Sequence, residues 1–229
     1  VARSIAVNLL QFFGEKPYFV LLGFMAATAF ISMWISNTAT TALMLAMVAP
    51  LLGKLDPQNP FRKALVLAIA FAANIGGIAT PVGTPPNAIA IGFLAEQGIH
   101  LNFLSWMMMG LPLAILLVMI TSVILYRYFP PHETQPSLQL TTEESLSPKA
   151  KWVMGIGAGT ILLWLTSFWH QIPESLVALI AVAFLTAFQL VDRKDLNSIN
   201  WDILVLMWGG LALGQGMEVS GLAKWIVSL

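Results

Sequence analysis

Long apolar segments alternate with short polar stretches along this chain, and two of the apolar segments are themselves interrupted by polar residues. The first interruption is Ser36-Asn37-Thr38, which separates YFVLLGFMAATAFISMWI from ATTALMLAMVAPLLG. The second is the run TPVGTPPN, from Thr80 to Asn87, inside the apolar segment 64–94. Main chain that leaves a helix at membrane depth is tolerated only where protein buries it or where it lines a water-filled cavity. The two interruptions therefore predict a binding site.

The apolar arms on either side of residues 36–38 are short for membrane spans. Each has about 15–18 residues, at or below the roughly 20 that cross a bilayer as a helix. Two architectures fit: a re-entrant hairpin with residues 36–38 at its tip, or two short spans joined by a tight turn outside the membrane. The hairpin is the preferred interpretation, because small residues would let the two arms pack closely, namely Ala26, Ala27, Ala29 and Ala39.

The segment 64–94 predicts a broken helix. Pro81, Pro85 and Pro86 each lack an N–H and crowd the carbonyl four residues earlier, so a continuous helix cannot contain all three. The pair Gly76-Gly77 and the run 80–87 are expected to divide the segment into half-helices at roughly 64–79 and 87–94.

Four further apolar runs have spanning or near-spanning length, at 103–128, 152–168, 175–191 and 201–217. Tryptophans near the predicted span ends, among them Trp106, are expected to anchor the membrane interface.

The segments outside these runs predict the domain organisation. Residues 1–16 predict a short amphipathic interfacial helix. The Pro-, Ser-, Thr- and Glu-rich stretch 129–151 predicts a cytoplasmic linker between two parts, 1–128 and 152–229. A second amphipathic stretch near residue 229 lies on the opposite predicted side, which suggests a partial inverted-topology repeat. The opening Val1-Ala2-Arg3 suggests a fragment of a longer protein.

Composition places the chain among all-α integral membrane proteins in contact with lipid. Of its 229 residues, 58% are hydrophobic and 10% charged, against about 45–50% apolar and about 25% charged in a soluble domain. The net charge is zero, which argues against nucleic acid as a partner. The absence of cysteine excludes disulfides and thiolate metal sites.

The placement of charge predicts the topology. If the first helix and the hairpin mouth are cytoplasmic, five crossings follow, at 64–94 and the four later runs. Ten of the eleven basic residues then lie on the cytoplasmic side, all except Lys224, as the positive-inside rule requires. We expect a multi-pass protein of a plasma membrane, a bacterial inner membrane by preference, with residue 1 cytoplasmic and residue 229 outside. Charge does not separate the hairpin from two short spans, because both return the chain to the same side.

The chemistry of the interruptions is suited to binding one cation and one anion together. No Lys, Arg, Asp or Glu occurs in 17–53 or 64–95, so neutral oxygens and helix ends supply the ligands. A hard cation held without carboxylates indicates Na⁺, because a divalent ion would be expected to recruit charged ligands. An anion held without arginine would depend on helix dipoles and on the bound cation. Coupled transport of the two is the predicted function.

MWISNTATTALM followed by NIGGIATPVGTPPNAIAIG resembles the first half-site of the divalent anion/sodium symporter family. The resemblance extends from the interfacial helix at the start of the chain to its last helices. It implies symport of a dicarboxylate, tricarboxylate such as citrate, or sulfate with sodium, by a homodimer with an elevator mechanism. The family's second Ser-Asn-Thr hairpin and second broken helix are absent from these residues, so we do not expect the chain by itself to transport.

The resemblance also implies roles for individual residues. The substrate would be bound by Asn37, Thr38, Thr84 and Pro85. Sodium would be bound by Ser32, Ser36, Asn37, Gly83 and Asn87.

Two other classes of function would leave different residues in the spans. A proton- or sodium-coupled antiporter or anion pump subunit of related architecture would show a membrane-embedded ionisable carrier, and none is visible in these spans. An intramembrane enzyme would need a nucleophile with its base or paired carboxylates, so no enzymatic activity is expected. No metal site other than sodium is expected, because the three histidines lack partners at ligand spacing.

Overall fold

The computed structural model describes residues 5–7, 10, 16–131, 147–197 and 201–228. These residues form helices joined by short turns, and no strand occurs among them, which confirms the all-α prediction. The helices are α1 (Pro17–Ser32), α2 (Asn37–Lys54), α3 (Phe61–Ile78), α4 (Pro85–Glu96), α5 (Phe103–Tyr128), α6 (Pro148–Leu165), α7 (Ser167–His170), α8 (Glu174–Ala187), α9 (Arg193–Asn197), α10 (Trp201–Val219) and α11 (Leu222–Val227).

The first interruption is a turn between α1 and α2. Helix α1 starts with Pro17 at its first position, where the missing N–H costs nothing. Ser36 is the N-cap of α2, and its Oγ accepts a hydrogen bond from Ala39 N at 3.4 Å. The turn therefore occupies residues 33–36, and Asn37 and Thr38 belong to the first turn of α2. The turn therefore begins three residues before the predicted tip at 36–38, because Ser36 caps α2 and the next two residues are already helical.

Arg62 holds the other end of α2. Its Nη1 donates hydrogen bonds to Leu52 O at 2.8 Å and to Leu55 O at 3.0 Å. The last carbonyls of a helix have no partner within it and carry partial negative charge. A guanidinium at this position satisfies both, and so fixes the polar loop between α2 and α3.

The second interruption breaks a helix as predicted, between Ile78 and Pro85. Thr84 is extended and precedes two prolines at the start of α4, where proline is favoured. Gly76 and Gly77 do not contribute to the break, contrary to the sequence prediction, because both lie inside α3 and are buried. Their small size serves packing against neighbouring segments.

The core lies among α1, α2, α3 and α5. Fully buried side chains from the first three of these include Phe24, Met25, Met44, Leu65 and Ile69. Helix α1 packs closely against α3 at Gly76, where any side chain would strike the main chain of Ala29. Such close approach of small residues is how apolar helices associate without a hydrophobic contrast to lipid.

Aromatic rings join the first turn to the later helices. Trp34 stacks on Phe103 with ring centroids 6.3 Å apart, and Phe103 stacks on Trp164 at 5.1 Å. Glu174 Oε1 accepts a hydrogen bond from Phe103 N at 3.2 Å. The turn before α2, the start of α5 and the α6–α8 region are therefore packed together.

The predicted crossings are matched in part. Helix α5 spans 103–128 as predicted, and α6 begins at Pro148, inside the interval that was predicted as linker. Among the described residues, α3 and α5 are long and apolar enough to cross a membrane, whereas α1 and α8 are apolar but shorter. The number of crossings, the depth of the hairpin and the domain division stay predictions. Most of the interfacial helix at 1–16 and of the linker at 129–151 lies outside the described residues.

Candidate functional site

The two interruptions lie side by side, as the sequence analysis requires. Thr80, the second residue after α3, is fully buried and donates a hydrogen bond from Oγ1 to Met33 O at 2.5 Å. Met33 is the first residue of the turn between α1 and α2. A buried hydroxyl of this kind ties the two turns and satisfies a carbonyl that the end of α1 leaves without a helical partner.

Two glycines bring the main chain of the second break against Asn37. A Cβ built on Gly77 would lie 2.8 Å from Asn37 Oδ1 and 3.3 Å from Nδ2, so the amide rests on bare main chain. A Cβ built on Gly83 would lie 2.5 Å from Gly77 O. Gly83 therefore packs on Gly77, and Gly77 packs on Asn37. The structure thus brings the predicted sodium ligands Asn37 and Gly83 into one neighbourhood.

Ser32, Asn37 and Ala73 form a cluster of three oxygens with a shortage of protons. Ser32 Oγ lies 2.7 Å from Asn37 Oδ1 and 2.7 Å from Ala73 O. A serine hydroxyl carries a single hydrogen, yet both of these neighbours are acceptors. The hydroxyl can donate to one of them at a time, so a bond to Ala73 O leaves no serine hydrogen for Asn37 Oδ1. Such a cluster is suited to a cation that oxygen ligands coordinate.

Asn87 braces the broken helix. It is buried, and its Nδ2 donates hydrogen bonds to Gly77 O at 2.8 Å and to Thr80 O at 2.7 Å. Both amide hydrogens are therefore used on carbonyls at the end of α3 and in the turn that follows it. The position predicted as a sodium ligand thus stabilises the break with its nitrogen and has its oxygen left for other contacts.

The start of α2 offers main-chain donors beside the oxygen cluster. Ser36 caps Ala39 N, and within the described part of the chain the N–H groups of Asn37 and Thr38 make no hydrogen bond. The N-terminus of a helix also carries partial positive charge. The start of α4 offers less, because Pro85 and its neighbour Pro86 have no N–H. Anion donors are therefore richer at α2 than at α4.

The remaining predicted site residues surround this centre without bonding to it. Ser36 and Thr38 are exposed, and Thr84 and Pro85 are half-buried at the start of α4. No hydrogen bond links any of these four to Asn37 among the residues that the structure describes.

Two side chains at the site were missed by sequence reasoning. Asn74 Oδ1 accepts a hydrogen bond from Asn37 Nδ2 at 3.2 Å. Trp106 Nε1 donates to Ile78 O at 3.0 Å, and so caps the end of α3 instead of serving only as an interfacial anchor. A signal for Asn74 was present, because it is the single polar side chain between residues 64 and 78. No signal in the sequence marks Trp106 as a partner of Ile78, 28 residues earlier.

The electrostatics of the site are those of neutral dipoles. The segments that build it, 17–53 and 64–95, contain no ionisable Asp, Glu, Lys or Arg. In the described ranges no group of three or more His, Cys, Asp or Glu side chains is placed to hold a metal. The oxygen cluster is thus suited to a monovalent cation, since several carboxylates are the usual ligands of a tightly bound divalent ion.

Comparison with known proteins gives a match over the whole chain. A family profile described as citrate transporter covers residues 1–229. The low-affinity phosphate transporter PHO90 of Saccharomyces cerevisiae is 34% identical over 223 residues, which cover 95% of this chain and 25% of that protein.

This chain covers a larger share of two prokaryotic relatives. The uncharacterized transporter MJ0672 of Methanocaldococcus jannaschii is 35% identical, with 96% of this chain and 50% of that protein covered. The sodium-dependent dicarboxylate transporter SdcS of Staphylococcus aureus (strain USA300) is 30% identical, with 97% and 50% covered. The chain thus spans a quarter to a half of the length of these curated relatives.

Proposed function

The chain belongs to the citrate transporter family, and we propose that it supplies one half-site of a secondary symporter that carries a small anion together with Na⁺. Members of such a family are integral membrane transporters and not enzymes. The single observation that carries the proposal is the cluster of Ser32 Oγ, Asn37 Oδ1 and Ala73 O, where two acceptors share one hydrogen. Sodium dependence of the relative SdcS supports the choice of ion.

Sodium binding accounts for features that packing does not explain. Three oxygens drawn together in an apolar surrounding are costly unless a proton or a cation lies among them. We assign the cation to this cluster, with Ala73 O added to the ligands that the family resemblance implies: Ser32, Ser36, Asn37, Gly83 and Asn87. Gly83 would contribute through its main chain, which lies against Gly77.

The anion would lie on the exposed side of Asn37. The free N–H groups of Asn37 and Thr38 and the positive end of α2 are available there. Thr84 and Pro85 form the wall on the side of α4. The bound cation would offset part of the cost of desolvating the anion, because the site has no basic side chain. Neither ion would be held well without the other, and this is the physical basis of coupling.

The substrate class follows from neutral donors arranged for oxyanions. The relative SdcS, a dicarboxylate transporter, supports dicarboxylates as candidate substrates, and the description of the family supports citrate. Inorganic phosphate joins them because the relative PHO90 is a phosphate transporter. The resemblance to the symporter family adds three further elements to the proposal. These are sulfate as a candidate substrate, a homodimeric assembly and an elevator movement of the site across the membrane.

Uptake by the full-length protein in proteoliposomes tests the proposal. Labelled succinate, citrate, phosphate and sulfate are each offered with an inward sodium gradient, with choline in place of sodium, and with a proton gradient. We expect uptake of at least one anion to need sodium and to fall by tenfold or more in Asn37→Ala. Asn197→Ala, at an exposed position in α9 outside the site, is the matched control and should transport as wild type does. Uptake that is indifferent to sodium and to Asn37 would contradict the proposal, and sodium-independent uptake driven by an outward proton gradient would favour the antiporter alternative.

A further inference from the structure

Asn74 links the amide of Asn37 to the main chain of α3. Its Nδ2 donates a hydrogen bond to Ala70 O at 3.2 Å, and its Oδ1 accepts one from Asn37 Nδ2 at 3.2 Å. At its other end, Asn37 Oδ1 accepts from Ser32 Oγ at 2.7 Å. A continuous chain of hydrogen bonds therefore runs from a helix carbonyl through two amides to the oxygen cluster.

The direction of this chain is determined at the carbonyl of Ala70. A main-chain carbonyl accepts hydrogen bonds and never donates them, so the nitrogen of Asn74 must face it. The oxygen of Asn74 then faces Asn37, which must present its own nitrogen in return. It follows that Asn37 Oδ1 points at the hydroxyl of Ser32. Asn74 therefore determines whether the oxygen or the nitrogen of the Asn37 amide faces the oxygen cluster.

We propose that Asn74 is a positioning residue that keeps the Asn37 amide in the orientation required for cation binding. This inference rests on the proposed function, since it concerns the same sodium site. The hydrogen bonds of the Asn74 side chain go to Asn37 and to Ala70 O and not to the three oxygens of the cluster, so it would act through Asn37.

When the side chain of Asn74 is removed and no sodium is bound, the reversed orientation of the Asn37 amide becomes lower in free energy. The terminal torsion of asparagine has two broad minima that exchange oxygen and nitrogen. A reversed amide would donate a hydrogen to Ser32 Oγ, and the hydrogen of the serine hydroxyl would then be free to bond to Ala73 O. It would also place a donor group where the cation belongs. Loss of one such hydrogen bond weakens sodium binding by about five- to tenfold.

Two substitutions separate this role from simple packing. Asn74→Leu keeps the size of the side chain and removes its hydrogen bonds. Asn74→Asp keeps an acceptor oxygen for Asn37 Nδ2, and so keeps the orientation of Asn37. Asn197→Leu, the same change at an exposed position in α9, is the matched control.

The experiment measures, in the full-length protein, the sodium concentration for half-maximal uptake and the sodium-induced rise of the thermal midpoint. We expect the half-maximal sodium concentration to rise by about five- to tenfold in Asn74→Leu, and to stay within twofold of wild type or to fall in Asn74→Asp and Asn197→Leu. A purely structural role would lower the thermal midpoint of Asn74→Leu and leave its half-maximal sodium concentration unchanged.

The inference is overturned if Asn74→Leu keeps the half-maximal sodium concentration of wild type. It is also overturned if this concentration rises as much in Asn74→Asp as in Asn74→Leu. Wild-type protein that responds to sodium in neither measurement would instead overturn the proposed function. The two failures are therefore distinguishable.

Discussion

The adjacent glycines of α3 should respond to the same substitution in opposite ways. A Cβ on Gly76 would meet the main chain of Ala29 in α1, with the Cα at 2.5 Å and the carbonyl carbon at 2.7 Å. A Cβ on Gly77 would meet the side chain of Asn37, with Oδ1 at 2.8 Å. Main chain in a packed helix cannot yield locally, whereas a side chain can rotate. Gly76→Ala should therefore damage the fold, and Gly77→Ala should damage the site.

The size of each effect follows from these distances. An ordinary contact near 3.4 Å would require α1 to move about 1 Å away from α3 in Gly76→Ala, and overpacking of this kind costs about 1–3 kcal/mol. Three main-chain atoms are struck at once, so we expect the upper end of that range. For a chain of this size it corresponds to a fall of about 5–10 °C in the thermal midpoint.

In Gly77→Ala, Asn37 Oδ1 must withdraw by about 0.5 Å to reach an ordinary contact, which lengthens its 2.7 Å hydrogen bond with Ser32. We expect the half-maximal sodium concentration to rise about tenfold, equivalent to about 1.4 kcal/mol, and the thermal midpoint to change by less than about 2 °C.

Thermal unfolding of the purified full-length protein and sodium titration of uptake distinguish the two variants. Gly92→Ala in α4 is the control, since a Cβ there has nothing within 4 Å. Alanine is a better helix former than glycine, so this control should be as stable as wild type or slightly more stable. A wild-type midpoint in Gly76→Ala, or an equal loss of stability in both variants, would refute the reasoning.

Two further predictions concern hydrogen bonds that hold the elements around the site. Arg62→Met should lower the free energy of unfolding by about 1.5–3 kcal/mol, because two carbonyls at the end of α2 lose a charged donor. Thermal unfolding measures this, and the exposed neighbour Lys63→Met should change it little. Thr80→Val should cost about 1–3 kcal/mol, because Met33 O loses its buried partner. It should also weaken uptake by separating the two turns. Thr186→Val, at an exposed hydroxyl in α8, should do neither, and equal behaviour of the two threonine variants would contradict the assignment.

Much of the site could be predicted because its signals are local. Three prolines cannot share one helix, so the break before Pro85 is a property of the covalent chain. A hydroxyl residue in an apolar surrounding that precedes a new apolar segment predicts a helix start, and Ser36 is such a cap. Long apolar runs without charge predict helices of the length seen in α5.

The incorrect expectations concern contacts between segments. Gly76 and Gly77 were expected to contribute to the break in the helix, since glycine weakens a helix relative to alanine. In the structure their missing side chains admit α1 and Asn37, and the gain in packing outweighs the low helix propensity. The hydrogen bond of Trp106 Nε1 to the carbonyl of Ile78 is a further contact of this kind, which the position of Trp106 near a span end did not indicate.

The sequence by itself determined the class of protein, the approximate position of both breaks and the absence of charge around them, because composition, proline geometry and capping act over a few residues. Tertiary structure alone decided which oxygens meet. Ser32, Asn37 and Ala73 come from three helices, and the orientation of the Asn37 amide depends on Asn74. Hydrogen bonds form only over about 3 Å, so an arrangement of this kind exists only once the helices are packed.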